Sequence, residues 1–253
     1  MIRDIWEFPG RTIGRQVVVY STTDSTNNRA AEHHGQPGLA FLADTQTAGR
    51  GQHGRKWTAR PGASVLLSVL LAPPAFISRP AILTAWAAVS VCETLKRFST
   101  LSPQIKWPND VLVGEHKLAG ILIEQKKPGE MVAGIGLNVR QTRDDFLLDE
   151  LPLATSLFGI GVDRTTEEVA QSLLAILDEE YNRLIKSDFF SLESRWKKYM
   201  GLLNGKIEVE CADAKHVGQL IELSFSELRI HTIGQHDLVI TPESVLHLKE
   251  VVK

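Results

Sequence analysis

Residues 104–139 read QIKWPNDVLVGEHKLAGILIEQKKPGEMVAGIGLNV. Three extended segments stand out, at about 104–107, 117–125 and 131–139, and Pro108-Asn109-Asp110 and Lys127-Pro128-Gly129 separate them as turn signals. Consecutive strands joined this tightly predict one mostly antiparallel sheet. Gly120 interrupts the second segment, while Gly134 and Gly136 interrupt the third. Glycine inside a strand weakens the sheet and commonly marks the close approach of another group, so something is expected to lie against these strands.

Upstream, residues 15–21 (RQVVVYS) read as a strand, and Asp24-Ser25-Thr26-Asn27 supplies cap chemistry for a short helix closed by Gly35. Residues 39–46 and 63–72 read as strands flanking a glycine- and arginine-rich loop, and 78–98 has the length and alanine content of a helix. Further on, Thr165-Thr166-Glu167-Glu168 forms a capping box, and Val169, Leu173, Leu177, Tyr181 and Leu184 follow at helical spacing. From Lys206 the texture changes to short alternating runs, which predict a small all-β unit and a boundary near 203–205. The expected organisation is α/β (α+β): residues 1–203 with a mixed, mostly antiparallel sheet flanked by helices, and residues 204–253 as a small β-barrel. A first strand expected at about residue 15 leaves no room before it for a winged helix-turn-helix, so DNA binding through such a module is not expected.

Composition sets the outer bounds. Hydrophobic residues at 43% and charged residues at 23% are ordinary for a folded, soluble chain. The strongest apolar run, 65–72, is far shorter than the roughly 20 residues a membrane helix needs. The first seven residues carry acids where a secretory signal has its apolar core, so a cytoplasmic location is expected. Cys92 lies in an apolar run and reads as packing. His33, His34 and the pair His231 and His236 show no metal-ligand spacing and read as solvated or loop residues. The net charge of −2 argues against a globally basic nucleic-acid binder. Yet no acid occurs between Asp44 and Glu93, where Arg50, Arg55, Lys56, Arg60 and Arg79 all fall. That local imbalance suits an anion.

Within it lies TQTAGRGQHGRKW, residues 45–57, with a formal G-x-G-x-x-G at Gly49, Gly51 and Gly54. A dinucleotide fingerprint requires a helix directly after the glycines and an acid about 20 residues on. Here Pro61-Gly62 and an apolar strand follow instead. What remains is a glycine loop able to approach a ligand closely and offering cations to an anion, or, in the plainer reading, a flexible basic surface loop. Likewise Lys106-Trp107-Pro108-Asn109-Asp110 concentrates a cation, an aromatic, a rigid turn and a carboxylate, although a strand end and ordinary turn would read the same. Lys117 opens an apolar strand and alone reads more readily as a solvated end than as a catalytic group.

Taken together, Ser25-Thr26-Asn27, the 49–57 loop, Lys106 to Asp110, Lys117 to Gly120 and Gly134 to Asn138 resemble biotin–protein ligases in order and spacing. The tail from Lys206 is similar to that family's small C-terminal, SH3-like domain. The resemblance implies a class II synthetase-like catalytic fold that uses ATP with Mg2+ to convert biotin to biotinyl-5'-AMP. The biotinyl group then passes to a lysine of a biotin carboxyl carrier protein domain. It implies catalytic roles for Lys117, Arg50 and Arg55. Biotin contacts would come from Ser25, Thr26, Asn27, Gln46, Gly49, Arg50, Gly51, Gln52, Trp57, Lys117, Gly120, Ile121, Gly134 and Gly136. Nucleotide contacts would come from Arg50, Arg55, Trp57, Lys106, Asn109, Asp110, Lys117 and Asn138. No protein-held metal, DNA or membrane partner is implied, and a homodimer is left open. Rival readings are a lipoate or octanoate ligase and a binding module without turnover. One departure concerns Gln52, where many bacterial relatives carry arginine; a neutral amide lacks that grip on an anionic intermediate.

Overall fold

The computed structural model describes residues 1–232, 234 and 237–251. The chain runs β1 (Ile2–Glu7), β2 (Gln16–Thr23), α1 (Thr26–Glu32), β3 (Ala40–Gln46), β4 (Ser64–Leu71), α2 (Pro80–Phe98), β5 (Pro103–Lys106), β6 (Asp110–Val113), β7 (His116–Lys127) and β8 (Glu130–Asn138). Then follow α3 (Arg143–Leu148), α4 (Thr166–Ile185), α5 (Phe189–Met200), β9 (Lys206–Cys211), β10 (Lys215–Leu223), β11 (Leu228–Thr232), β12 (Asp237–Ile240) and β13 (Val245–Glu250). Eight strands form one sheet in the order β1-β2-β3-β4-β8-β7-β6-β5, and only β2 with β3 pairs parallel. The expected mixed, mostly antiparallel sheet is therefore present.

The period-two pattern of the central strands assigns the layers. Val17, Val19, Ala40, Leu42, Val65, Leu67, Val69, Ala133, Ile135 and Leu137 share one core with α2 and α4. α2 is buried on almost every side, and its Trp86 donates from Nε1 to the Leu177 carbonyl of α4 at 3.2 Å while meeting Tyr181 edge-on at 5.5 Å. A buried indole that also spends its N–H on a neighbouring helix locks the two helices in register. On the opposite face α1 covers Val18, Phe41, Leu70 and Val132, and its Asn27 stands over Gly134 of β8.

Several elements depart from the sequence reading. β1 precedes the expected first strand; it is almost wholly exposed, so no buried face imprinted an alternation on its sequence. β6 extends from what read as a turn. Ser25 does stand at the N-cap of α1, but its side chain makes no cap bond, and the helix ends at His33, two residues before Gly35. α3 and α5 went unread, although Thr142 and Asp145 form a full capping box at the start of α3. Among the histidines, His33 packs 4.8 Å from Phe41 and His231 lies in β11 bonded to Asp237 at 2.8 Å, while His236 falls outside the described residues.

The second sheet has the order β12-β11-β10-β9-β13, all antiparallel. It meets the first half of the chain at Trp107, whose Nε1 donates to the Val245 carbonyl at 3.0 Å and whose ring lies 6.1 Å from that of Trp196. Trp196 in turn lies 5.1 Å from Phe225, and Arg79 pairs with Glu243. Among the described residues no helix is long and apolar enough to cross a membrane.

Candidate active site

Because directly paired antiparallel residues share a face, register lays out the floor of the site. One row runs Leu66–Gly136–Gly120–Asp110 across β4, β8, β7 and β6. The next runs Ser68–Gly134–Leu122. Lys117 joins this face through an irregularity: Val111 pairs with Ala119 but Leu112 with Lys117, so Leu118 is the extra residue of a bulge. Strict alternation would have set Lys117 on the core side with Ala119 and Ile121. The bulge instead buries Leu118 and re-aims the lysine. Its Nζ then reaches Asp110 Oδ1 at 2.6 Å and lies 5.6 Å from the centre of the Trp57 ring.

The 49–57 loop folds back over this floor as a small hairpin. Arg50 bridges Lys56, Gly51 N–H donates to the Arg55 carbonyl at 2.7 Å, and Trp57 N–H to that of Gly49 at 3.1 Å. A methyl group on Gly49 would sit 2.5 Å from the Trp57 carbonyl, so this glycine serves the loop's own closure. The indole of Trp57 lies on the glycine floor: a Cβ would meet it at 2.9 Å from Gly120 and at 2.3 Å from Gly136. The group expected against these strands is thus a tryptophan of the protein, and above Gly134 it is the Asn27 amide, 2.3 Å from where a Cβ would stand. Trp57 Nε1 is buried without a hydrogen-bond partner, a donor that a bound molecule could satisfy.

Between floor and loop is a cavity of about 460 Å³, within the range of small-molecule sites. One end is neutral and polar. Thr26 donates from its backbone N and from Oγ1 to Gln46 Oε1 at 2.7 and 3.0 Å, and Ser68 Oγ lies 2.7 Å from Thr26 Oγ1 and 2.5 Å from Asn27 Oδ1. The rest of its border is charged: Arg55, Lys56, Lys106 and Lys117 stand with the carboxylate of Asp110, and Arg50 joins them from beside the neutral end, where its Nη2 is shared by Asn28 and Glu124. That excess selects for an anion. Arg60 and Arg79, counted in the same basic run, are spent elsewhere, on Asp145 with Asp149 and on Glu243.

Of the residues singled out in the sequence, Ser25, Thr26, Asn27, Gln46, Arg50, Gly51, Gln52, Arg55, Trp57, Lys106, Asn109, Asp110, Lys117, Gly120, Ile121, Gly134 and Gly136 all border this one cavity. Gly49 and Asn138 do not. Asn138 is buried, donates to the Thr155 carbonyl at 3.0 Å and accepts from Gln141 at 3.0 Å, which ties the end of β8 to the following loop. Ile121 presents its backbone, since its side chain packs in the core, and Asn109 uses its amide to bind the Ile121 carbonyl at 2.6 Å.

A family model described as "Biotin/lipoate A/B protein ligase family" matches residues 18–141, the segment that builds nearly all of this cavity. The chain belongs to that family. The bifunctional ligase/repressor BirA of Bacillus spizizenii is 32% identical over 188 residues, covering 72% of this chain and 57% of the relative. The biotin–[acetyl-CoA-carboxylase] ligase of Mycobacterium tuberculosis is 40% identical over 161 residues, 58% of this chain and 57% of that one. This chain therefore spans a little over half the length of these curated relatives. A biotin protein ligase from Aquifex aeolicus, solved in complex with biotin and ATP, superposes with a TM-score of 0.76 at 29% identity, covering 93% of this chain and 99% of the other.

Several contributors to this ligase-family site were not picked out from sequence, Leu66 and Leu67 among them. Ser68 reads as a plain interruption of an apolar strand, and Leu151, Leu246 and His247 lie in segments whose approach to the cavity depends on long-range folding. Leu151 arrives because Lys117 N–H donates to the Leu153 carbonyl at 2.7 Å, and Leu246 and His247 come from β13.

Proposed function

We propose that this chain is a biotin–protein ligase. In the first step a biotin carboxylate oxygen attacks the α-phosphorus of ATP and the bond to pyrophosphate breaks, giving biotinyl-5'-AMP. In the second, a lysine amine of a carrier domain attacks the activated carbonyl, an amide forms and AMP leaves. The observation that carries this reading is the polarity gradient along one slot. Its neutral hydrogen-bonding end suits a ureido group, the Trp57 and glycine stretch suits a fused ring and alkyl chain, and the cationic end suits a carboxylate meeting a phosphate.

Two anions must be brought together in the first step, so the enzyme acts mainly by positioning and by stabilising charge. Lys117 has three N–H donors and gives one to Asp110, which leaves two for carboxylate and phosphate oxygens. Arg50 holds Asn28 and Glu124 through Nη2, so its Nε and Nη1 hydrogens remain to engage an anion. Arg55 from the loop and Lys106 from the end of β5 add further charge. Among the described residues no cluster of three or more metal-binding side chains occurs. Mg2+ would therefore come bound to the ATP phosphates, with Asp110 the carboxylate placed to meet it, and would neutralise phosphate charge. The acceptor is taken to be a biotin carboxyl carrier protein domain, by extension from the Mycobacterium tuberculosis relative, a biotin–[acetyl-CoA-carboxylase] ligase.

The test is isotope exchange between ATP and pyrophosphate with biotin, lipoate or octanoate supplied in turn, followed by addition of a biotin carrier domain. Biotin-dependent exchange and a biotinyl mass increase on one carrier lysine are expected. Exchange driven by lipoate or octanoate instead would move the chain to the other branch of its family, and no exchange with any acid would refute a ligase.

A further inference from the structure

We propose that Glu124, which does not border the cavity, is a positioning residue that fixes the hydrogen-bond polarity of the neutral end and ties Arg50 to it. The inference rests on the reading of that end as the biotin site. Glu124 follows Leu122 on the site face of β7 and pairs with Val132, one row beyond Gly134. Its Oε2 accepts from Asn27 Nδ2 at 2.6 Å and from Arg50 Nη2 at 3.1 Å, while Oε1 accepts from Lys126 Nζ at 2.9 Å. Burial opposes its charge, but the Asn27, Lys126 and Arg50 hydrogen bonds outweigh that and hold its carboxyl below the usual range. An ionised carboxylate can only accept.

That restriction propagates. The nitrogen of the Asn27 amide must face Glu124, so Oδ1 must face Ser68 and Gly134. Asn27 keeps one N–H and one lone pair for a ligand, in a fixed sense. Independently, the Thr26 backbone N–H fixes Gln46 Oε1 inward, which leaves Gln46 Nε2 as the outward donor. The end of the slot therefore presents a defined set of donors and acceptors. The same Oε2 restrains the arginine that also reaches Asn28 from the loop at 2.9 Å, so α1, β7 and the loop share one node. A mere surface ion pair would not orient an amide that is 5% exposed.

The experiment first measures biotin binding to the wild-type chain by calorimetry; absence of binding would overturn the functional reading before any variant is compared. Glu124→Ala and Glu124→Gln are then compared for biotin Kd and for the KM of biotin and of ATP in exchange. Loss of charge-assisted hydrogen bonds of this kind is worth about 10- to 100-fold. Glu124→Ala is expected to weaken biotin by that factor and to raise the ATP KM by a smaller one, through the loosened Arg50. Glu124→Gln, which can still accept from Asn27 but cannot balance Arg50, is expected to recover part of the loss, and it carries the test should the alanine variant not fold. Glu124→Ala is expected to cost clearly less in an Asn27→Ala background than in the wild type, what remains being its hold on Arg50. Equal loss for biotin and ATP, no rescue by glutamine, or multiplicative effects of the two substitutions would each overturn the assignment.

Discussion

Lys117 owes its place to one extra residue in β7 and its readiness to Asp110, which holds the ammonium at 2.6 Å beside the indole of Trp57. If the ligase reading holds, Lys117→Ala removes a preorganised charge where negative charge collects, and adenylate formation is expected to fall on the order of 10²- to 10³-fold. Near-normal pyrophosphate exchange in that variant would remove Lys117 from the mechanism. Gln52 borders the same cavity with a neutral amide. Gln52→Arg is therefore expected to slow the escape of biotinyl-5'-AMP, measured by trapping released adenylate with excess hydroxylamine; an unchanged release rate would show that Arg50 and Arg55 already provide the grip. At this scale the sequence disclosed residues whose types are unusual together, such as lysine, tryptophan, asparagine and aspartate within five positions. It did not disclose Glu124 or Ser68, because a glutamate at the end of a strand and a serine inside one look ordinary until their partners, 97 and 41 residues away, are known. Asn138 shows the converse: a motif residue whose amide is already spent on Thr155 and Gln141.

The elements were legible where one face is buried and silent where none is. β4, fully buried, and the amphipathic α4 announce themselves, whereas exposed β1 and four-residue β6 leave little periodic trace. Glycines in β7 and β8 correctly signalled close approach, but the approaching groups are Trp57 and Asn27. This yields a prediction that belongs to the packing of strand against loop. Gly136→Ala would place a methyl group 2.3 Å from the Trp57 ring, a rigid neighbour, and overpacking of this sort costs about 1–3 kcal/mol. The strain is expected to be relieved by lifting the loop, so trypsin should cut after Arg50, Arg55 or Lys56 faster than in the wild type. Gly114→Ala is the control, since its turn is open and nothing lies within 4 Å, although its positive φ of 60° carries its own backbone cost. Equal protection of the loop in the two variants would mean that Trp57 does not hold it down.

Across the whole molecule the question is what the second sheet does for a cavity built almost entirely from the first. We take residues 204–253 as a separate small unit, and its contribution enters through Trp107, the aromatic of the Lys106 to Asp110 segment. That side chain is 8% exposed, packs on Trp196 and donates to the Val245 carbonyl at the start of the strand that brings Leu246 and His247 to the cavity. A motif residue that borders the cavity therefore also works as a hinge pin between two sheets. Trp107→Phe keeps most of the packing and loses one hydrogen bond, for a cost of about 1 kcal/mol. Trp107→Ala leaves a cavity and is expected to cost about 3–5 kcal/mol. If β13 is held in place this way, the alanine variant should also raise the KM for ATP well above that of the phenylalanine variant at temperatures where both remain folded, because the cationic end loses its far wall. Thermal unfolding and exchange kinetics on the same two proteins decide it. A large drop in stability with the ATP KM unmoved would reduce Trp107 to packing and leave the second sheet outside the chemistry.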